Sequence, residues 1–218
     1  MAATSPANPR RTQAERRSRS EEALLDAAAA VIAERGIDRA SLTSIGTRSG
    51  MSRALPAHHF GSKDAMVDRL AERAQERLSD AMVGAILHSE LDLEEASALD
   101  VLRFMVGAYL ELFVAPTPDN LALVALWGAV IPAEASVAGL VDADRRAVAG
   151  WAAAIERGHE DGSIRPDVDP DAAGVALLAL TRGVAALLLI DPELVDLPSV
   201  RQTCDGWIAI ALAPPDID

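Results

Sequence analysis

Apolar residues recur every three or four positions along most of this chain, which is the period of a buried helix face. Leu24, Leu25, Ala28, Val31 and Ile32 follow that spacing up to Gly36, a C-terminal stop. Ser18 and Glu21 stand at capping-box spacing, so the helix is predicted to start near Ser18. A second, short helix is predicted from a cap at Ser41 through Arg48, with Leu42 and Ile45 facing inward. Gly50 supplies the backbone freedom for a tight turn, and Ser52 is placed to cap a third short helix. Ser62 then precedes a long, polar-rich helix over about Lys63 to His88.

From there the pattern is helix after helix. One is predicted over about Leu93 to Val114, stopped by Pro116 and Pro118. Others run from about Asn120 to Val130, ending near Pro132, and from about Ala135 to Gly158. The segment HEDGSIRPDVDPD is a loop, after which Asp169 and Pro170 serve as cap and first-turn residue. Ala172 to Ile190 is apolar nearly all round, so a helix there needs cover on more than one side. Val200, Cys204, Trp207, Ile208, Ala211 and Leu212 form a wide stripe on a last helix from about Leu197 to just before Pro214 and Pro215. Two such helices from each of two chains would bury both surfaces in an intermolecular four-helix bundle, although packing inside one subunit would also use them.

Composition agrees with an all-α fold. Half of the 218 residues are apolar, Ala and Leu dominate, and only seven are aromatic. Ala172 to Ile190 is interrupted by Thr181, Arg182 and Gly183, so it is not read as a membrane span, and the N-terminus lacks a signal-peptide core. A soluble, cytoplasmic protein with no membrane partner is expected; its single cysteine, Cys204, cannot form an internal disulfide.

Net charge is −13, yet it is unevenly spread. Residues 1–63 hold ten Lys or Arg against six Asp or Glu, and the remainder ten against twenty-seven. Affinity for phosphates follows local charge, so a basic head on an acidic body is compatible with DNA binding. A basic tail on an acidic globule would give the same numbers. Three units are expected: a flexible basic arm over 1–17, a helix-turn-helix head over 18–63, and a body over 64–218.

Two short helices meeting at Gly50 and followed at once by another helix have the form of a helix-turn-helix, whose second helix enters the major groove. The segments LLDAAAAVIAERG (24–36), SLTSIG (41–46), SGMSR (49–53) and HHFGSKDAM (58–66) are similar to the DNA-binding head of the TetR family of bacterial transcriptional regulators. Beyond Met66 the likeness is architectural. The resemblance implies a homodimer, an effector pocket in the body, and release of a double-stranded operator when that pocket fills. The corresponding DNA-facing residues are Ser41, Thr43, Ser52, Arg53, Ala54, Leu55, His58, His59 and Lys63. Arg53 can bond guanine O6 and N7 bidentately, Ala54 and Leu55 can touch thymine methyls, and Ser41 is better placed as a cap. His58, His59 and Lys63 fall where phosphates are contacted. Ala57 and Pro56 depart from the family, which commonly has Tyr and Leu there.

For the pocket, Phe104, Met105, Tyr109, Trp127 and Trp151 are the large side chains expected around an apolar cavity, though each also suits ordinary core. Arg182 is expected to pair with an anionic ligand or, preferably, with an acidic residue across the dimer. No catalytic constellation, cofactor motif or metal site is found. Asp167, Asp169 and Asp171 open like a calcium loop, but Ala172 and Leu178 stand where glycine and glutamate are needed. The expected function is a ligand-released repressor. An activator or partner-responsive regulator would share every head residue, and a helical enzyme is a distant alternative.

Overall fold

The computed structural model describes residues 12–92, 94–130 and 138–215. Among them are nine helices and no strand: α1 Gln13–Arg35, α2 Leu42–Arg48, α3 Leu55–Phe60, α4 Lys63–Leu87, α5 Ala98–Glu111, α6 Pro118–Val130, α7 Ala138–Asp161, α8 Pro170–Ile190 and α9 Leu197–Leu212.

The first three helices pack as a small unit against the start of α4. Leu24, Leu25 and Ile32 of α1, Ile45 of α2, and Met66 and Leu70 of α4 are all fully buried together. The same apolar cluster continues through Leu123 and Leu126 of α6 to Tyr109 and Phe113. Head and body therefore share one core across residue 63. A second cluster joins α5, α7, α8 and α9 through Leu102, Trp151, Ile155, Leu178, Cys204 and Ile208. Burial raises the Cys204 thiol pKa, as suits an inert core cysteine.

Several element ends differ from the sequence reading. The first helix starts at Gln13, where Thr12 and Glu15 form the capping box, so Gln13 to Arg17 are helical and not part of an arm. Ser18 and Glu21 have the same spacing, but the strong helix formers before them extend the helix N-terminally. Residues 1–11 of the expected arm lie outside the described residues. Ser52 does not cap α3: the N-cap is Ala54, without a side-chain bond, and Ser52 contributes its carbonyl to Leu55 N–H at 3.0 Å. Pro118 opens α6 and does not merely end the helix before it, because a first-turn proline gives up no helical bond. The fifth helix ends at Glu111, short of Val114, and α7 runs past Gly158 to Asp161. Helix α5 starts at Ala98, capped by Ser97, and not near Leu93, while the expected boundaries at Pro132 and Ala135 lie outside the described residues.

Helix α8 is, among the described residues, the only one long and apolar enough to cross a membrane, with a mean hydropathy of 2.2. It lies along α7, with Gly174 so near that a Cβ would stand 2.9 Å from Val148 O. Its other side leaves Val175, Leu187 and Ile190 exposed. On α9, Cys204, Ile208 and Leu212 are buried while Trp207 and Ile210 are 60% and 82% exposed. The stripe read from the sequence thus divides into an inward face and an uncovered one.

Candidate functional site

The helix-turn-helix is held by a close approach of backbone. A Cβ at Gly46 would lie 2.9 Å from both Arg53 Cα and Ser52 O, so only glycine lets α2 sit against the turn. Gly50, at φ 71°, makes the turn itself. Ser41 and Ser44 cap α2 reciprocally: Ser44 N–H donates to Ser41 Oγ at 3.1 Å and Ser41 N–H to Ser44 Oγ at 3.0 Å. Arg48 fastens α2 to α1 through two bonds to Glu34, of 3.0 and 2.6 Å. That bond lowers the pKa of the Glu34 carboxyl and raises that of Arg48.

On the outer side of this scaffold, Ser41, Thr43, Ser52, Arg53, Ala54 and His58 are exposed, with Leu55 and His59 half-buried beside them. Arg53 forms no ion pair or hydrogen bond among the described residues, leaving its fork of donors available. Pro56 is the second residue of α3, buried against Gly46, where its missing N–H would have had no helical partner. The His58 and His59 rings diverge at 72° with centroids 6.2 Å apart. Lys63 Nζ donates to Ile37 O at 2.6 Å, tying the start of α4 to the α1–α2 loop.

Behind the head, Arg73 and Arg77 of α4 gather carboxylates from two other helices. The Arg73 side chain is 4% exposed; it meets Asp119 of α6 at 2.6 Å and Asp26 of α1 at 2.9 Å. Arg77 also binds Asp119, and reaches Glu22 of α1 at 3.0 Å.

A cavity of about 140 Å³ lies in the body between α4, α5, α7 and α8. Leu78, Met82, Met105, Trp151 and Leu178 give it apolar walls; Gln75, Tyr109, Arg146 and Arg182 bring polar groups. Burial pushes the Tyr109 phenol up to about 12, against the opposing pull of Arg182.

Residues 24–70 match the family model for bacterial regulatory proteins of the tetR family, and residues 98–213, more than half of the chain, match the model for the C-terminal region of BetI-type transcriptional repressors. The chain belongs to the TetR family. This TetR regulator is similar to a protein from Rhodococcus sp. described as a TetR-family transcriptional regulator, with TM-score 0.76, 22% identity, and 90% of this chain and 100% of that one covered. It is similar to SmeT, the repressor of the Stenotrophomonas maltophilia multidrug efflux pump SmeDEF (TM-score 0.70, 21% identity, 90% and 91% covered). A third likeness is to AibR in complex with isovaleryl coenzyme A and operator DNA (TM-score 0.65, 18% identity, 89% and 99% covered). No curated protein matches the sequence.

Of the pocket residues expected for this TetR regulator, Met105, Tyr109, Trp151 and Arg182 line the cavity. Trp127 lies beneath it, with the Arg182 guanidinium 4.1 Å above its ring. Phe104 does not take part: it borders a separate surface groove with Arg103 and Asp205. Neighbours on a helix point about 100° apart, so Met105 and Phe104 cannot both face one cavity. The preferred partner for Arg182, an acid across a dimer, is also corrected: Arg182 Nη2 pairs at 2.5 Å with Asp144 of α7 in the same chain. Gly46, Asp144 and the Arg73–Asp119 pair were missed from sequence. Gly46 had a signal in its place within SLTSIG; the pairs join residues too far apart in the chain to leave one.

Proposed function

We propose that this TetR-family regulator is a homodimeric repressor, released from a near-palindromic operator when a small molecule fills the body cavity. The observation that carries the DNA contact is Arg53, exposed and without a partner among the described residues, between Ser52 and Ala54 at the entry to α3, on a turn packed against Gly46. Ser52, Arg53, Ala54 and Leu55 read base edges. Thr43, His58, His59 and Lys63 meet phosphates, and Ser41 steadies α2 as its cap. Two heads would occupy major-groove faces about 34–36 Å apart on the operator. The exposed faces of α8 and α9 join the two copies, making residues 64–218 the effector-binding and dimerisation unit.

Effector response is supported by AibR, which was captured with both a ligand and its operator, and repression by SmeT. Tyr109, Met105, Trp151 and Arg182 contact the effector, with Trp127 beneath. The cavity is walled partly by α4, the helix that also carries Lys63 and the arginines bound to α1. A ligand favouring the wrong head spacing a hundredfold would contribute about 2.7 kcal/mol against DNA binding per site. The protein would act in the cytoplasm and catalyse no reaction.

Selection of bound fragments from genomic DNA tests this reading. Enrichment of a two-fold symmetric sequence is expected. Failure to retain any double-stranded fragment over random competitor at low salt would overturn it. Reporter output that rises with expression of the protein would replace repression by activation.

A further inference from the structure

Three buried polar atoms of the cavity lining meet no hydrogen-bond partner at normal geometry among the described residues: Gln75 Oε1, Tyr109 OH and Arg182 Nε. Each such group costs about 1–3 kcal/mol when left unsatisfied, and folded proteins keep few of them. Their clustering at one cavity points to a missing partner there. Of these, Arg182 Nε–H can only donate. Tyr109, kept protonated by burial, can donate as well, and the Gln75 amide can present either end. The absent group is therefore rich in acceptors.

Charge and size narrow it further. Asp144 already balances Arg182, while Arg146 at the cavity makes no ion pair among the described residues. The cavity lining itself holds no carboxylate to meet Arg146, although the outer groove beside it carries two. Glu76 and Asp80 border the outer groove beside Arg146, which disfavours a polyanion entering past them. A cation is disfavoured by the guanidinium groups of Arg146 and Arg182, both in the lining, and the Trp127 face is already taken by Arg182. At about 140 Å³ the cavity is close to the ~150 Å³ that accommodates benzene, so the part of a ligand enclosed there is compact.

We propose that the cavity takes a compact organic monocarboxylate of about the size of benzoate. Its carboxylate is received by Arg182 and Tyr109, and its body lies among Leu78, Met82, Met105 and Trp151. The proposal rests on reading this cavity as the effector site. Stacking on Trp127 and pairing with Asp144 hold the guanidinium in place before the ligand arrives, so little side-chain entropy is lost on binding.

Calorimetric titration of the full chain with benzoate and hexanoate, against benzamide, benzyl alcohol and choline, tests it. The carboxylates are expected to bind at least about tenfold more tightly than benzamide. Tyr109→Phe should weaken benzoate about tenfold while the variant stays folded by circular dichroism. Arg182→Gln should abolish the preference for benzoate over benzamide. Benzamide or choline binding as tightly as benzoate would overturn the proposal, as would unchanged benzoate affinity in Tyr109→Phe or no binding by any probe. Operator affinity, measured in parallel, separates the two readings. If choline or benzamide binds and releases operator, the effector site stands and the carboxylate falls. If benzoate binds without altering operator affinity, the carboxylate stands and the effector reading falls.

Discussion

Arg53 is exposed at the entry to α3, whereas Lys63 is half-buried at the start of α4, and the two are expected to do different work on DNA. Arg53 has no side-chain partner among the described residues, so Arg53→Ala should relax specificity at one base position at a cost of about 1–3 kcal/mol, read by footprinting on single-base operator variants. Equal losses on all sequences would contradict base reading. Lys63 already bonds Ile37 O, and one ammonium has donors for that carbonyl and a phosphate together. Lys63→Ala is expected to weaken binding to every sequence and flatten its salt dependence; a sequence-selective loss would refute the phosphate role. Sequence could single out Arg53 as a candidate because its place at the entry to α3 depends on residues within a few positions of it. It could not assign Phe104 or the partner of Arg182. Facing a cavity depends on the rotation of α5, and Asp144 reaches Arg182 only once α7 lies along α8.

Helices are legible from their apolar period, whereas their ends and contacts are decided by neighbours. Gly46 shows the cost of a close contact: in Gly46→Ala the new methyl meets backbone atoms of the turn at 2.9 Å, which no side-chain rotation can relieve. Displacement of the recognition turn is expected, with operator affinity falling well before secondary structure, as seen by comparing gel shifts with circular dichroism. Asp119 presents the opposite case, invisible in sequence because its partners lie on α4. Asp119→Ala leaves the buried Arg73 undercompensated and should lower stability by about 3 kcal/mol in urea titration, at the lower end for a broken buried pair because Asp26 and Glu22 remain. A third junction is sensitive to pH. Asp161, at the end of α7, accepts from Ala98 N–H at 2.7 Å and Ser163 N–H at 2.8 Å. Partial burial opposes its charge, but the bonds from Ser163 and Ala98 outweigh it and the carboxyl pKa falls below its ordinary value. A lowered folded pKa contributes stability that is full above the unfolded value and is lost as pH drops through the folded one. Asp161→Asn should therefore flatten the acid limb of the stability profile and leave its slope at neutral pH unchanged.

At the scale of the whole molecule, what remains uncovered is as informative as what is packed. Helix α8 turns one face to α7 and leaves Leu187 and Ile190 in solvent, while α9 leaves Trp207 and Ile210. An apolar face of that kind on the last two helices is what a second copy would cover in a four-helix arrangement. A dimer also supplies what one head lacks. A six-residue α3 offers few base contacts, and joining two heads turns the second contact into an intramolecular step worth 10²–10⁴-fold in affinity. Leu187→Glu with Ile210→Glu places charges at the centre of that face without touching the inward set of Cys204, Ile208 and Leu212. The variant should sediment as a folded monomer at micromolar concentration and lose about 10²–10⁴-fold in affinity for the full operator, while binding to an isolated half-site is unchanged. A variant that stays dimeric would show that the copies meet elsewhere. A monomer that keeps full operator affinity would show that one head suffices, and the two-fold reading of the operator would fail with it.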